Sequence, residues 1–173
     1  MPITRLNHAV LYVRDVERSV AFYGDVLGFR RVDMTPEDFT GAAFLQAAGS
    51  RNDHDLGLFA IGEHARPSEA GRTTVGLYHL AWEVDTLAEL EAIQDRLVAA
   101  GALAGASDHS TSKSLYGQDP DGIEFEVAWF VPLDQLDEET LQGRKGIRRL
   151  DLAREKERYG ASTLGASSTT SAG

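Results

Sequence analysis

Two histidines at matching positions of a repeated segment are the first candidates for chemistry. His8 lies in L-N-H-A-V-L-Y-V-R-D-V and His79 lies in L-Y-H-L-A-W-E-V-D-T-L, and the two segments align without gaps. Each ring is predicted to lie near the middle of an apolar strand, so both imidazoles need polar partners. A single metal ion satisfies both, because neutral imidazole is a good ligand for Fe, Zn, Cu or Mn. The repeat therefore predicts a metal site that uses His8 and His79.

A third ligand is expected from a carboxylate in the run I-E-F-E-V-A-W-F near the end of the second repeat. Glu126 lies inside this apolar run, where a carboxylate without a partner is costly. Glu124 lies two residues earlier on the same strand face, so spacing alone leaves both residues open. Two histidines and one carboxylate form the facial triad of non-haem Fe(II) sites, which leaves positions for a substrate and O2.

The stretch 107–127 carries further groups that can move protons. It predicts a hairpin closed by D-P-D-G, because Pro presets φ, Asp bonds nearby backbone and Gly accepts positive φ. His109 and Tyr116 lie on this hairpin. His54 follows a polar loop and His64 lies in a polar segment; taken singly, each is more often a surface histidine or one satisfied in the core. The chain has no cysteine, which excludes disulfides and thiolate chemistry.

The elements that must position these residues repeat once along the chain. Apolar patterning predicts a strand, a helix and three strands in residues 3–62 and again in 76–131, joined by a polar linker at 63–75. The predicted strands are 3–13, 29–34, 42–47 and 56–61 in the first copy, and 76–84, about 103–108 and the two hairpin strands in the second. The predicted helices span 16–27 and 87–100, and the second has an apolar stripe formed by Leu87, Leu90, Ile93, Leu97 and Val98. The pattern is an α+β fold of two tandem βαβββ modules.

Composition limits the function classes. The chain has 173 residues, of which 42% are hydrophobic and 25% charged, as in soluble globular proteins. No apolar run approaches the ~18–20 residues that a membrane span needs, and no signal-peptide pattern is present, so we expect a cytoplasmic protein. Residues 1–131 hold 20 acidic and 10 basic side chains, which argues against a nucleic-acid partner.

The C-terminal part differs from the repeats. Residues 132–160 show helical patterning with balanced charge and are expected to pack on the body or on a partner subunit. Residues 161–173 are small and polar, which predicts a disordered tail.

Residues 3–131 resemble the vicinal oxygen chelate superfamily, which includes glyoxalase I, fosfomycin-resistance transferases and type I extradiol ring-cleaving dioxygenases. The hairpin is similar to the extradiol signature, in which a histidine is followed by an apolar residue and Tyr, then Asp-Pro-x-Gly, then Glu. The matching residues are His109, Leu115, Tyr116, Asp119, Pro120, Gly122 and Glu126. This match selects Glu126 over Glu124. The chain departs from the pattern at Ser107, and it lacks the second, non-catalytic pair of modules that many of these enzymes carry.

The resemblance implies an open, curved mixed β-sheet, a half-barrel, around an Fe(II) site, with Mn(II) as the alternative metal. It implies His8, His79 and Glu126 as ligands, and a catechol-type diol and O2 as reactants. The catalytic residues that it implies are His54 as base or hydrogen-bond partner, His109 as proton donor or as a group that stabilises the intermediate, and Tyr116 as a hydrogen-bond partner of the substrate or peroxo oxygen. Modules of this type usually pair within or between chains, so a homo-oligomer is expected.

Other members of the superfamily set the alternatives. A glyoxalase-like isomerase or lyase needs a second carboxylate ligand, and the strand L-G-L-F-A-I at the end of the first module contains none. A fosfomycin-type transferase needs clustered Lys or Arg for a phosphonate, and Lys113 alone lies in the hairpin. A metal-free small-molecule binding protein would not need the three ligands.

Overall fold

The computed structural model describes residues 2–3, 5–36, 39–70 and 73–166. These residues form two compact units, the first from residues 1–68 with the turn Asp119–Gly122 and the second from the remainder. The strands are β1 (Ala9–Val13), β2 (Arg30–Val32), β3 (Ala42–Gln46), β4 (Leu56–Ala60), β5 (Leu80–Glu83), β6 (Leu103–Asp108), β7 (Ser112–Gln118), β8 (Glu124–Phe130) and β9 (Arg148–Arg149). The helices are α1 (Val16–Leu27), α2 (Leu87–Ala99), α3 (Glu138–Gly143) and α4 (Leu152–Tyr159).

The first unit contains a four-stranded sheet in the order β1-β4-β3-β2. β1 pairs in parallel with β4, and the other neighbours are antiparallel. Asp15 caps the start of helix α1, where its side chain accepts from the backbone N–H of Arg18, and Gly28, with φ of 75°, caps its end. Its buried face packs against β3 and β4.

The second unit contains a five-stranded sheet in the order β5-β8-β7-β6-β9. β5 pairs in parallel with β8, and β8, β7 and β6 form an antiparallel meander. Helix α2 buries Leu87, Leu90, Ile93 and Leu97. Val98, predicted in the same stripe, is 59% exposed, because it lies at the edge of the apolar face, about 100° round the helix from Leu97.

The doubled βαβββ order confirms the predicted α+β fold, with the strands in two mixed sheets. The strands that follow His8 and His79 are shorter than predicted. The parallel ladders begin at Ala9 opposite Leu56 and at Leu80 opposite Phe125, so each histidine lies one residue before its strand. The prediction that both histidines lie at mid-strand was wrong, because apolar composition extends beyond the residues that have a ladder partner. The predicted strand 3–13 also includes Thr4, which lies outside the described residues.

The C-terminal extension is part of the second unit. β9 adds an unpredicted fifth strand, antiparallel to β6, with Arg148 opposite Asp108. Helix α4 packs against α2, and Lys156 pairs with Glu91 at 2.6 Å.

Residues 161–166 are not disordered, contrary to the prediction for 161–173. Ala88 N–H donates to the Ala161 carbonyl at 3.0 Å, and Gly165 N–H donates to the Asp85 carbonyl at 2.8 Å. The side chain of Trp129 donates to the Thr163 carbonyl at 3.2 Å. Backbone hydrogen bonds of this kind do not depend on side-chain type, so the small, polar composition did not reveal them. Residues 167–173 lie outside the described part of the chain, as do 71 and 72 of the predicted linker. Across the described residues, no helix is long and apolar enough to cross a membrane.

Candidate metal and catalytic site

His79 and Glu126 lie together in the second unit. The ring Nε2 of His79 is 3.2 Å from Oε2 of Glu126, and the two side chains are 26% and 16% exposed. The parallel pairing of β5 with β8 causes this approach, because it places Ala81 opposite Glu126 and His79 just before the ladder. The other ring nitrogen of His79, Nδ1, is buried without a hydrogen-bond partner among the described residues. His79 and Glu126 are thus held side by side where the edge strand β5 begins.

Glu124 takes a different position. It begins β8 opposite Gln118, whose side-chain amide donates to Glu124 Oε1 at 3.4 Å. Glu126 is therefore the carboxylate that lies beside His79.

Tyr116 and His109 lie next to this pair. Tyr116 is opposite Glu126 in the β7–β8 ladder, and its hydroxyl is 2.8 Å from Nε2 of His109. Burial and the negative charge of Glu126 raise the pKa of Tyr116 above its usual value. A phenol is protonated at neutral pH even at its usual pKa of about 10, so Tyr116 has a proton to donate.

His8 and His54 lie together in the first unit, with ring centroids 4.5 Å apart. Nδ1 of His8 is 2.8 Å from the side-chain oxygen of Asn7. Because that oxygen accepts, Nδ1 carries the proton and the Nε2 lone pair is left available, which is the tautomer that a metal ligand needs. Asn7 is held in turn by Asn52, whose side-chain amide donates to the Asn7 carbonyl at 2.8 Å.

His54 lies in the loop just before β4. Its ring makes an edge contact with Phe44, with centroids 4.9 Å apart, and its Nδ1 is buried without a hydrogen-bond partner among the described residues. A buried ring nitrogen without a partner is a costly arrangement.

The two sheets can be compared position by position through their ladders. Phe44 lies opposite Gly57 in the first sheet as Tyr116 lies opposite Glu126 in the second. Gly57 therefore occupies the position that corresponds to Glu126. A Cβ at Gly57 would lie 3.4 Å from the Phe44 ring, so little space is left for a side chain at this position. The first module supplies no carboxylate at this position, as the sequence L-G-L-F-A-I predicted.

The predicted ligands are divided between the units. His8 belongs to the first unit, and His79 and Glu126 belong to the second. Among the residues that the structure describes, no three or more His, Asp or Glu side chains are grouped so as to hold a metal ion. The three-ligand set therefore stays a prediction, as does the joint action of His54 with His109 and Tyr116.

The D-P-D-G turn has a structural role that the sequence did not indicate. Asp121 accepts from the backbone N–H of Arg14 at 2.9 Å and from its guanidinium at 2.7 Å. Arg18 donates to the same carboxylate at 2.9 Å, and the Tyr23 hydroxyl donates to Asp119 at 3.2 Å. Within the first unit, residues 119–122 are thus bound to Arg14 and to Arg18 and Tyr23 of α1.

Comparison with known proteins agrees with this architecture. The profile of the Glyoxalase/Bleomycin resistance protein/Dioxygenase superfamily matches residues 5–127. A catechol-2,3-dioxygenase of Bacillus subtilis is 35% identical over 127 residues, which cover 72% of this chain and 41% of that protein. A manganese-dependent 2,3-dihydroxybiphenyl 1,2-dioxygenase of Geobacillus genomosp. 3 is 26% identical, covering 75% of this chain and 38% of that protein. The chain thus spans less than half the length of these two relatives.

A solved structure shows the same fold. The glyoxylase/bleomycin resistance protein/dioxygenase domain from Frankia sp. EAN1pec superposes with a TM-score of 0.62 at 23% identity, covering 75% of this chain and 93% of that one. The chain belongs to the Glyoxalase/Bleomycin resistance protein/Dioxygenase superfamily.

Proposed function

We propose that the chain is an Fe(II)-dependent extradiol dioxygenase that opens the ring of a catechol-type substrate with O2. The observation that carries the proposal is the placement of His79 beside Glu126, with the Tyr116–His109 pair on the adjoining strand. Two ligand side chains next to a pair that can move a proton are groups that metal-ion and acid–base catalysis can use together.

The residues present fit a metal ion. His79 Nε2 and Glu126 Oε2 lie side by side, 3.2 Å apart, and imidazole and carboxylate would together supply a nitrogen and an oxygen ligand to one ion. His8 offers a free Nε2 lone pair, because its Nδ1 is bonded to Asn7. Bound by these three residues, Fe(II) would supply a redox-active centre at which the diol and O2 are held together.

The chain's own residues would orient the substrate and move protons. Tyr116, whose hydroxyl lies 2.8 Å from His109 Nε2, donates a hydrogen bond to a substrate oxygen. His109 exchanges a proton with the Tyr116 hydroxyl across 2.8 Å and so keeps that donor supplied. His54, whose Nδ1 has no partner among the described residues, takes the proton that a diol hydroxyl releases on binding.

Two features favour this reaction over others in the superfamily. A glyoxalase-like site needs a second carboxylate, and the position that corresponds to Glu126 in the first module is Gly57. A fosfomycin-type site needs cations for a phosphonate, and the one cation of the hairpin, Lys113, is 1% exposed and already paired with carboxylates.

The relatives support the same substrate class by their names, one a catechol dioxygenase and the other a manganese-dependent dihydroxybiphenyl dioxygenase. Fe(II) is the proposed metal and Mn(II) the alternative. Self-association stays a prediction.

The test loads the purified chain anaerobically with Fe(II) or Mn(II) and adds a panel of catechols, including alkyl- and phenyl-substituted ones. Admission of air should start O2 uptake and the appearance of a yellow ring-fission product in equal amounts. Activity with Mn(II) and not with Fe(II) would show that Mn(II) is the metal, and the proposed reaction would stand. Protein that holds metal and turns over none of the panel would overturn the proposal.

A further inference from the structure

Lys113, Asp108 and Glu155 form a buried ion network that contacts the turn carrying His109. The side chain of Lys113 is 1% exposed, and its ammonium lies 2.6 Å from Asp108 Oδ1 and 2.9 Å from Glu155 Oε2. It also donates to the Ser110 carbonyl at 3.1 Å. An ammonium is buried at this depth only when it is paired, and here two carboxylates lie within about 3 Å of it.

The network determines the backbone around His109. Asp108 Oδ1 accepts from Ser110 N–H at 2.7 Å, while Lys113 binds the Ser110 carbonyl. Ser110 has φ of 70°, which is unfavourable for a residue with a side chain. Its peptide groups are thus held on both sides by Asp108 and Lys113, and His109 is the residue between Asp108 and this strained position.

The C-terminal extension completes the network from outside the region that the family profile matches. Glu155, 4% exposed, comes from α4, and Tyr159 of the same helix has its ring 5.5 Å from the Lys113 ammonium. Arg148 of β9 lies 3.3 Å from Asp108. Gly143 ends α3 so close to the turn that a Cβ there would lie 3.0 Å from the Cβ of Ser110. Three elements of the extension, α3, β9 and α4, therefore contact the turn or the ion network that holds it.

We propose that Glu155 is a positioning residue: through Lys113 and Asp108 it fixes the turn so that His109 meets the Tyr116 hydroxyl. Without the Glu155 charge, the buried ammonium of Lys113 has lost one of its two close carboxylates and is drawn toward other acceptors. The turn then relaxes from the left-handed conformation at Ser110, and the contact between His109 and Tyr116 loosens. The catalytic consequence rests on the proposed dioxygenase function, whereas the structural consequence does not.

The test compares Glu155→Gln with Glu157→Gln, a change of the same kind at an exposed residue of the same helix. The full chain, loaded with diamagnetic Zn(II), is studied by NMR for the NOE between the His109 and Tyr116 rings and for the His109 ring ¹⁵N shifts. Glu155→Gln should weaken the NOE and move the Nε2 shift toward that of a free imidazole, while Glu157→Gln should match the wild type. With Fe(II), Glu155→Gln should lower kcat about tenfold and leave KM within about twofold, since misplacement of a proton donor affects the chemical step.

Glu155→Asp keeps the charge on a shorter side chain and should give an intermediate NOE and an intermediate kcat. If Glu155→Gln does not fold, Glu155→Asp carries the comparison. An unchanged NOE and unchanged ¹⁵N shifts in the folded variant would overturn the proposal. A wild type without ring cleavage would overturn the proposed function and leave the NMR comparison intact.

Discussion

Asp121→Ala is expected to destabilise the protein strongly, although Asp121 lies in a turn. Its side chain is 7% exposed, and its carboxylate accepts hydrogen bonds from the backbone N–H of Arg14 and from the guanidinium groups of Arg14 and Arg18. Arg14 is itself only 20% exposed. Truncation to Ala removes the charged partner of a partly buried guanidinium and the acceptor of one backbone N–H.

The size of the effect follows from these contacts. Removal of one partner from a buried ion pair costs about 3–5 kcal/mol. The Arg18 contact adds at most about 1 kcal/mol, because Arg18 is 42% exposed and solvent screens the pair. The Arg14 guanidinium keeps its bonds to the Ala65 carbonyl, which places the estimate near the lower end of the range, at about 3–4 kcal/mol.

Urea unfolding followed by circular dichroism measures this change. Asp121→Ala should lower the free energy of unfolding by about 3–4 kcal/mol and the melting temperature by roughly 10 °C. Arg18→Ala should cost at most about 1 kcal/mol, and Asp25→Ala, at an exposed position of α1, should cost less than about 0.5 kcal/mol. Equal, small effects of Asp121→Ala and Arg18→Ala would refute the reasoning that burial makes the Arg14 pair the stronger one.

Three further changes test the site and its supports. Tyr116→Phe should lower kcat about 10²-fold with little change in metal content, because a proton donor is lost and no ligand is; equal kcat would remove Tyr116 from the reaction. Burial raises the pKa of Asp108, but the hydrogen bond from Lys113, a backbone N–H and nearby cations outweigh it and leave that pKa below its usual value. Because the pKa is lower in the folded state, this stabilisation is complete above the unfolded pKa of about 3.9 and is lost as the pH falls through the folded one. Unfolding free energies should therefore decline below about pH 4, and less steeply in Asp108→Asn. Gly117→Ala should destabilise by about 1–3 kcal/mol in the same urea assay, since the new Cβ would lie 2.5 Å from the Phe125 ring; an unchanged midpoint would show that the ring can move aside.

The fold could be predicted because it depends on local patterns that repeat. The alignment of the segments around His8 and His79 reveals two modules, and the ladders place both histidines at the same point before a strand. The exact strand starts could not be predicted, since they depend on where β4 and β8 begin, about 45 residues further along the chain. The alternation of apolar and polar residues indicates a strand, but it does not identify the residues of the neighbouring strand that pair with it.

The candidate site was predictable where residue chemistry alone is unusual. A glutamate within an apolar run pointed to Glu126, and the hairpin signature pointed to His109 and Tyr116. The contribution of Lys113 was not predictable in this way. Its partners are five residues away at Asp108 and on α4 at Glu155, so only the three-dimensional structure shows that it is buried and paired.

Metal content of three forms of the chain tests the central claim most directly. The wild type, Glu126→Ala and Glu124→Ala are loaded anaerobically with Fe(II), freed of excess metal and assayed for bound iron. We expect about one Fe(II) per chain in the wild type and in Glu124→Ala, and loss of tight binding in Glu126→Ala, because only Glu126 lies beside His79. Full iron content in Glu126→Ala, or its loss in Glu124→Ala instead, would contradict the account.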